Sequence, residues 1–119
     1  MTNAEFLNKN FGTNYKAWMK SRWNYSKQLK VWMIILDGKV RRGWKNTTNK
    51  DLVFEEFVGS DNELLPEDYV LEESHRLIVD KAQNYKILGV YKIERTNSNM
   101  LKNRIWIKVA NSLDEFLQK

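Results

Sequence analysis

Val31-Trp32-Met33-Ile34-Ile35-Leu36-Asp37-Gly38-Lys39-Val40-Arg41-Arg42-Gly43-Trp44 is the stretch on which any reading of the fold turns. Six apolar residues run without a break into Asp-Gly, the strongest short-range hairpin signal, because a type I′ turn needs positive φ at both central positions. A two-residue register pairs Ile35 with Val40, Met33 with Arg42 and Val31 with Trp44 on one face. It leaves Trp32, Ile34 and Arg41 on the other. The first strand is apolar on both faces, which predicts a central position covered twice.

Toward the N-terminus, Thr2 and Glu5 have capping-box spacing ahead of Phe6 and Leu7, and Gly12 stands where a C-cap belongs, so residues 3–11 read as a helix. Thr13 starts a second one. Tyr15, Trp18, Met19, Arg22 and Trp23 follow the spacing of one helical face, while Lys16, Lys20 and Lys27 line another.

Toward the C-terminus, Leu52 to Val58 reads as a strand or a helical turn, the run being too short to settle the period, with strand the preferred reading; an acidic loop from Gly59 to Tyr69 that holds Pro66 follows. Arg76 to Asp80, a turn at Lys81 to Asn84, and Tyr85 to Arg95 form a second hairpin. A polar loop through Asn97, Ser98 and Asn99 leads to the strand Asn103 to Val109, and Ser112 to Leu117 closes the chain with another capping-box spacing. The expected architecture is α+β: a curled, mostly antiparallel sheet of about five strands, or a partly closed barrel, with two N-terminal helices and a short C-terminal one.

At 119 residues with 42% apolar and 13% aromatic content, the chain suits a single domain over 1–119 with its own core. There is no cysteine, which removes disulfides, thiolate catalysis and cysteine zinc sites and fits a reducing compartment. No apolar run reaches the roughly 18 residues of a membrane span, and the N-terminus lacks a signal-peptide pattern, so a cytoplasmic protein without a membrane partner is expected. The net charge of +5 is unevenly spread. Residues 1–50 hold eleven Lys/Arg against two acids, 51–80 one against ten, and 81–119 eight against three. A basic face is the usual footprint of a phosphate backbone, provided the blocks stay apart in space.

Catalytic signatures are missing. His75 is the only histidine, and no Gly-x-Ser-x-Gly elbow accompanies the serines. Glu72, Glu73 and His75 match no metal-ligand spacing, and neither phosphate-loop nor dinucleotide fingerprints occur among the five glycines. No cofactor or metal is expected, and the chain reads as a non-enzyme. A magnesium-dependent nuclease built from acids of 51–80 stands as a third reading.

What remains is basic residues interleaved with aromatics. If Ile105, Ile107 and Val109 face the core, then Arg104, Trp106 and Lys108 share the opposite face. They form either a stacking platform for a base, flanked by phosphate-neutralising charge, or a surface over which a helix packs. Arg41, Arg42, Trp44 and Lys45 at the exit of the first hairpin are either a nucleic-acid contact, with Gly43 allowing close approach, or a charged edge strand with a bulge. Lys16 and Lys20 add electrostatic support or are the solvated side of a helix. The acids Asp61, Glu63, Glu67, Asp68, Glu72 and Glu73 are a solvated loop or an imitation of a nucleic-acid backbone.

The succession of Tyr85–Glu94 and Asn103–Ala110 resembles the small curled sheets of PUA-like and related base-binding domains. That resemblance covers the last third of the chain and transfers no residue; nothing else points to a family. The leading expectation is a nucleic-acid-binding module, DNA or RNA, using Arg41, Arg42, Lys45, Arg104 and Lys108 on phosphates and Trp44 or Trp106 on a base. The alternative is a small protein-protein interaction or inhibitor protein, for example one encoded by a mobile element, that acts on a nucleic-acid-handling partner with exposed aromatics as anchors and the separated charge blocks for steering.

Overall fold

A computed structural model describes residues 1–58, 74–94 and 103–118. Helix α1 (Asn3–Phe11) begins as its caps require: Thr2 Oγ1 accepts the Glu5 N–H at 3.1 Å, and Gly12 ends the helix at φ 68°. Its buried face carries Ala4, Phe6 and Leu7.

The second helix does not form. Asn8 takes the backbone of the following segment instead: its Oδ1 accepts the Tyr15 N–H at 2.9 Å and the Thr13 hydroxyl at 2.6 Å, while its Nδ2 donates to the Tyr15 carbonyl at 2.9 Å. Asn3 Nδ2 donates to the Lys20 carbonyl at 3.1 Å. Backbone groups that a helix would pair internally are thus held by α1 side chains, and the chain continues into strand β1 (Arg22–Asn24). Lys16, Lys20 and Lys27 therefore form no helical stripe.

The strands that follow are β2 (Leu29–Ile34), β3 (Val40–Arg41), β4 (Trp44–Asn49), β5 (Leu52–Phe57), β6 (His75–Asp80), β7 (Lys86–Ile93) and β8 (Asn103–Ala110). A 3₁₀ turn (Lys81–Gln83) joins β6 to β7, and helix α2 (Leu113–Leu117) follows β8. All eight strands belong to one mixed sheet in the order β1-β2-β6-β7-β8-β5-β4-β3. The class is α+β, but the expected two N-terminal helices and five strands are corrected to one N-terminal helix and, among the described residues, eight strands.

The first hairpin is corrected as well. β2 pairs antiparallel with β1 and parallel with β6, not with β3. Its expected double coverage is real: Leu29, Val31 and Met33 are buried in one core, Trp32 and Ile34 in another. Asp37 does not serve a two-residue turn; its carboxylate accepts the Lys39 N–H at 3.0 Å and grips the Arg41 guanidinium with two bonds of 2.7 Å. The two positive φ values of a tight hairpin fall instead on Arg42 (51°) and Gly43 (83°), between β3 and β4. Gly43 is thus a turn residue, and a Cβ there would lie 2.7 Å from Phe57 Cε1.

Each face of the sheet has its own core. On one, α1 packs Phe6 and Leu7 against Val31, Met33, Leu77, Val79 and Val90, with Trp18, Trp23 and Phe116 at the margin. On the other, Trp32, Ile34, Val53, Ile78, Tyr91, Ile93 and Trp106 pack together. This second face is concave. Trp32 on β2 and Trp106 on β8 stand three strand spacings apart, roughly 14 Å in a flat sheet at about 4.8 Å per strand. Their ring centroids are nonetheless 5.9 Å apart. Register shifts between Ile78 and Val79 and between Val90 and Tyr91 supply local bends of the kind that let a sheet curl. The acidic loop from Gly59 to Tyr69 and the polar loop through Asn97 to Asn99 lie outside the described residues.

Candidate functional site

The curl brings the two edges of the sheet to one cleft of about 720 Å³. Met19, Lys20, Ser21 and Arg22, leading into β1, line one lip; Lys39, Arg41 and Arg42, around β3, line the other. In a flat sheet those edge strands would stand seven spacings, roughly 34 Å, apart.

The floor is built by strand register. Asn46 on β4 lies opposite Glu55 on β5, and Glu55 lies opposite Arg104 on β8, so the three side chains share a row on the concave face. Two residues on, the same parity places Trp106 beside them, opposite Val53. Glu55 Oε2 accepts Arg104 Nη2 at 2.7 Å, and Glu55 Oε1 accepts the Trp106 indole N–H at 2.7 Å. Arg76 on β6 adds its Nη1 at 3.9 Å from Glu55 Oε1. Its guanidinium lies between two indoles, 4.4 Å from the Trp32 centroid and 4.3 Å from that of Trp106. All five residues are at least 95% buried. A planar cation between two indole faces, sharing one carboxylate with a second arginine, keeps its charge in a place where an unpaired charge would be severely destabilising.

Two further residues of β4 line the cleft. Trp44 is half-buried, packed edge-on against Phe57 at 5.2 Å with the Arg104 guanidinium 5.7 Å from its centroid. Asn46 lines the cleft with an Oδ1 that is buried and has no hydrogen-bond partner among the described residues. Around them the charge is one-sided. Lys20, Arg22, Lys39, Arg41, Arg42 and Lys81 line the upper walls and Arg76 and Arg104 the base, against Glu55 as the one acid among the described lining residues. The carboxylate of Glu55 is already engaged by Arg104 and Trp106, so the cleft is set for an anion. Asp37 stands just outside it. The Arg41 bond, and after it the Lys39 N–H, hold its carboxyl well below the usual carboxylate range, and the same bond raises Arg41 above the ordinary guanidinium value.

Of the residues expected to bind, Arg41, Arg42, Trp44, Arg104 and Lys20 are brought together here. Lys45 is exposed but points away, alternating with Trp44 and Asn46 on β4. Lys16 and Lys108 do not line the cleft; Lys108 reaches toward Asp51 at 3.9 Å and lies over Tyr91 at 5.8 Å. The expected exposed face of β8 is inverted: Trp106 is 0% and Arg104 4% exposed, while Ile105, Ile107 and Val109 are only half-buried. Trp106 presents no open ring. It is covered by Trp32 and Arg76, which come from strands far away in the chain.

Trp32, Glu55, Arg76, Lys39, Lys81 and Met19 are cleft residues to which the sequence reading gave no binding role. A signal existed for two of them. Arg76 shares parity with Ile78 beside the apolar run Leu77 to Val79, and Glu55 shares parity with Val53 and Phe57. Opposite charges on core-facing positions of two strands are the mark of a buried ion pair. His75 is remote from this cleft, with its ring 4.9 Å from Phe116 on α2. Among the described residues no group of three or more His, Asp or Glu side chains is arranged to hold a metal.

No protein-family model and no curated protein matches the chain in sequence. A structural match exists. The solved structure of the 5-hydroxymethylcytosine-specific restriction enzyme AbaSI superposes with a TM-score of 0.65 at 16% identity. The match covers 92% of this chain and 37% of that one, so the chain spans little more than a third of the enzyme's length. The fold is one that a restriction enzyme contains. The expectation of a non-enzyme, which rested on missing catalytic signatures, is therefore corrected: this architecture occurs within an enzyme that acts on nucleic acid. No helix among the described residues is long and apolar enough to cross a membrane.

Proposed function

We propose that the chain is a nucleic-acid recognition module in which the cleft receives a nucleobase and the lips hold the phosphates on either side of it. The observation that carries this reading is the meeting of both sheet edges at a cleft whose walls hold Lys20, Arg22, Lys39, Arg41, Arg42 and Lys81, with Glu55, already bound to Arg104, as the one acid among the described lining residues. A polyanion is the partner such a field attracts. Trp44 supplies a ring on which a base stacks, and Asn46 supplies amide groups for a base edge. Arg42 and Arg22, on opposite lips, are placed for phosphates. The AbaSI likeness supports the same reading and suggests a cytosine carrying a 5-substituent as the base to try first.

The protein-binding alternative drew on the acids Asp61, Glu63, Glu67, Asp68, Glu72 and Glu73, which lie outside the described residues, and on exposed aromatics. Trp106 is not one of them. No observation favours it over the cleft.

The test is a titration followed by intrinsic tryptophan fluorescence, using single- and double-stranded DNA and RNA, with and without 5-hydroxymethylcytosine, at about 50 and about 200 mM salt. Quenching by one of these, weakened strongly at the higher salt and lost in Trp44→Phe, is expected. Silence with every nucleic acid, together with a stoichiometric protein partner on purification, overturns it.

A further inference from the structure

Met19 is 92% exposed, the most exposed large apolar side chain among the described residues, and it stands on the lip of the cleft beside Lys20 and Arg22. A single apolar residue at the surface needs no explanation by itself. Its setting does.

The segment that carries Met19 is irregular, yet it is pinned at both ends. Asn8 binds it at Thr13 and Tyr15, Asn3 holds the Lys20 carbonyl, and the Ser21 carbonyl accepts the Met33 N–H at 2.7 Å. Between those ends the Tyr15 ring packs on Trp18 at 4.8 Å, and Trp23 Nε1 donates to the Tyr15 hydroxyl at 2.8 Å. Trp18 and Tyr15 turn in against the helical core while Met19 is held out. No Asp or Glu occurs from Phe6 to Leu36, so nothing on this stretch repels a phosphate backbone.

A base inside a duplex reaches a cleft only by leaving the stack, which costs unpairing and unstacking energy unless something takes its place. Apolar side chains, Met among them, insert between base steps and unstack them, and one placed at the vacated step would supply the missing contact. We infer that Met19 is the wedge: it enters the stack at the step from which the base is withdrawn, while Lys20 and Arg22 hold the adjoining phosphates. This rests on the base-binding reading of the cleft and adds a positioning residue that acts on the duplex, not on the bound base.

The experiment uses two labelled DNA duplexes at about 50 mM salt. One carries a single 5-hydroxymethylcytosine opposite guanine, the other the same base opposite an abasic site, already free of its pair. Wild type, Met19→Ala and Met19→Leu are compared by fluorescence anisotropy, with thermal unfolding to show that the fold is unchanged. Met19→Ala is expected to lose about tenfold in affinity for the paired duplex and less than about twofold for the abasic one, with Met19→Leu close to wild type on both. Equal loss on both duplexes, or no loss on the paired one while wild type binds it, overturns the wedge and leaves the cleft reading standing. Failure of wild type to bind either duplex overturns the wedge, since no duplex is then opened, and leaves the cleft reading to the titration with the other nucleic acids.

Discussion

Glu55 Oε1 accepts the indole N–H of Trp106 at 2.7 Å, tying an acid of β5 to a tryptophan of β8 beneath the cleft. The other oxygen of the same carboxylate holds Arg104, and Arg76 lies close by, so a single acid organises two buried cations and an indole.

Glu55→Ala is expected to destabilise the fold by about 3 to 5 kcal/mol, since it removes the Arg104 ion pair and the Trp106 acceptor together from a buried place. Glu55→Gln keeps an acceptor for Trp106 and should fall between Ala and wild type. Urea unfolding of the three proteins checks this. A loss under about 1 kcal/mol for Glu55→Ala would mean that the arginines find other partners.

Arg41 lines the cleft with its charge already met by Asp37, and both groups are solvent-accessible, so their ion pair contributes little to folding. Asp37→Asn is expected to leave the unfolding midpoint nearly unchanged while tightening nucleic-acid binding and steepening its salt dependence by about one phosphate contact. Lys45→Ala, on the opposite face of β4, is expected to change neither. Equal effects of the two substitutions would remove the cleft as the binding surface.

The Arg42-Gly43 turn should be far less tolerant than Asp37-Gly38. Gly43 adopts φ 83° with Phe57 Cε1 only 2.7 Å from where a Cβ would be. Gly43→Ala is expected to cost on the order of 2 kcal/mol or more, the left-handed backbone and the clash adding together. Gly38 has φ 76° but its Cβ would meet only the Thr47 methyl at 3.3 Å, so Gly38→Ala should cost about 1 kcal/mol. Denaturant midpoints of the pair decide the order.

His75 is held below its ordinary value of 6.5, by burial first and then by the charge of Lys92. The unfolded chain therefore takes up this proton at a higher pH than the folded one. Stability contributed here is complete above pH 6.5 and declines as the pH falls through that value toward the lower folded value. Thermal unfolding between about pH 7.5 and pH 5 should show a shallower decline in His75→Gln than in wild type. An identical pH profile would show that the imidazole titrates normally.

Much of this chain was legible locally. The caps at Thr2, Gly12 and Ser112, the β6–β7 hairpin and the extent of β8 follow from short-range spacing, because capping and turn chemistry act over three or four residues. The two-sided apolar character of β2 also announced its burial on both faces, though not its place next to the edge strand β1. What the residues by themselves left open was decided at long range. Asp-Gly is a good turn, yet β2 gains more by pairing with β1 and β6, where a separate core covers each of its faces, than by pairing with the polar β3. Thr13 is a good cap, yet the side chains of Asn3 and Asn8 claim the backbone that would have followed it. Alternation along β8 marks two faces without saying which is inside. Arg104 and Trp106 are inside because the sheet curls until Trp32, Glu55 and Arg76, from three other strands, supply them with partners. The cleft exists for the same reason: it belongs to the meeting of two sheet edges, and no local stretch of sequence contains both.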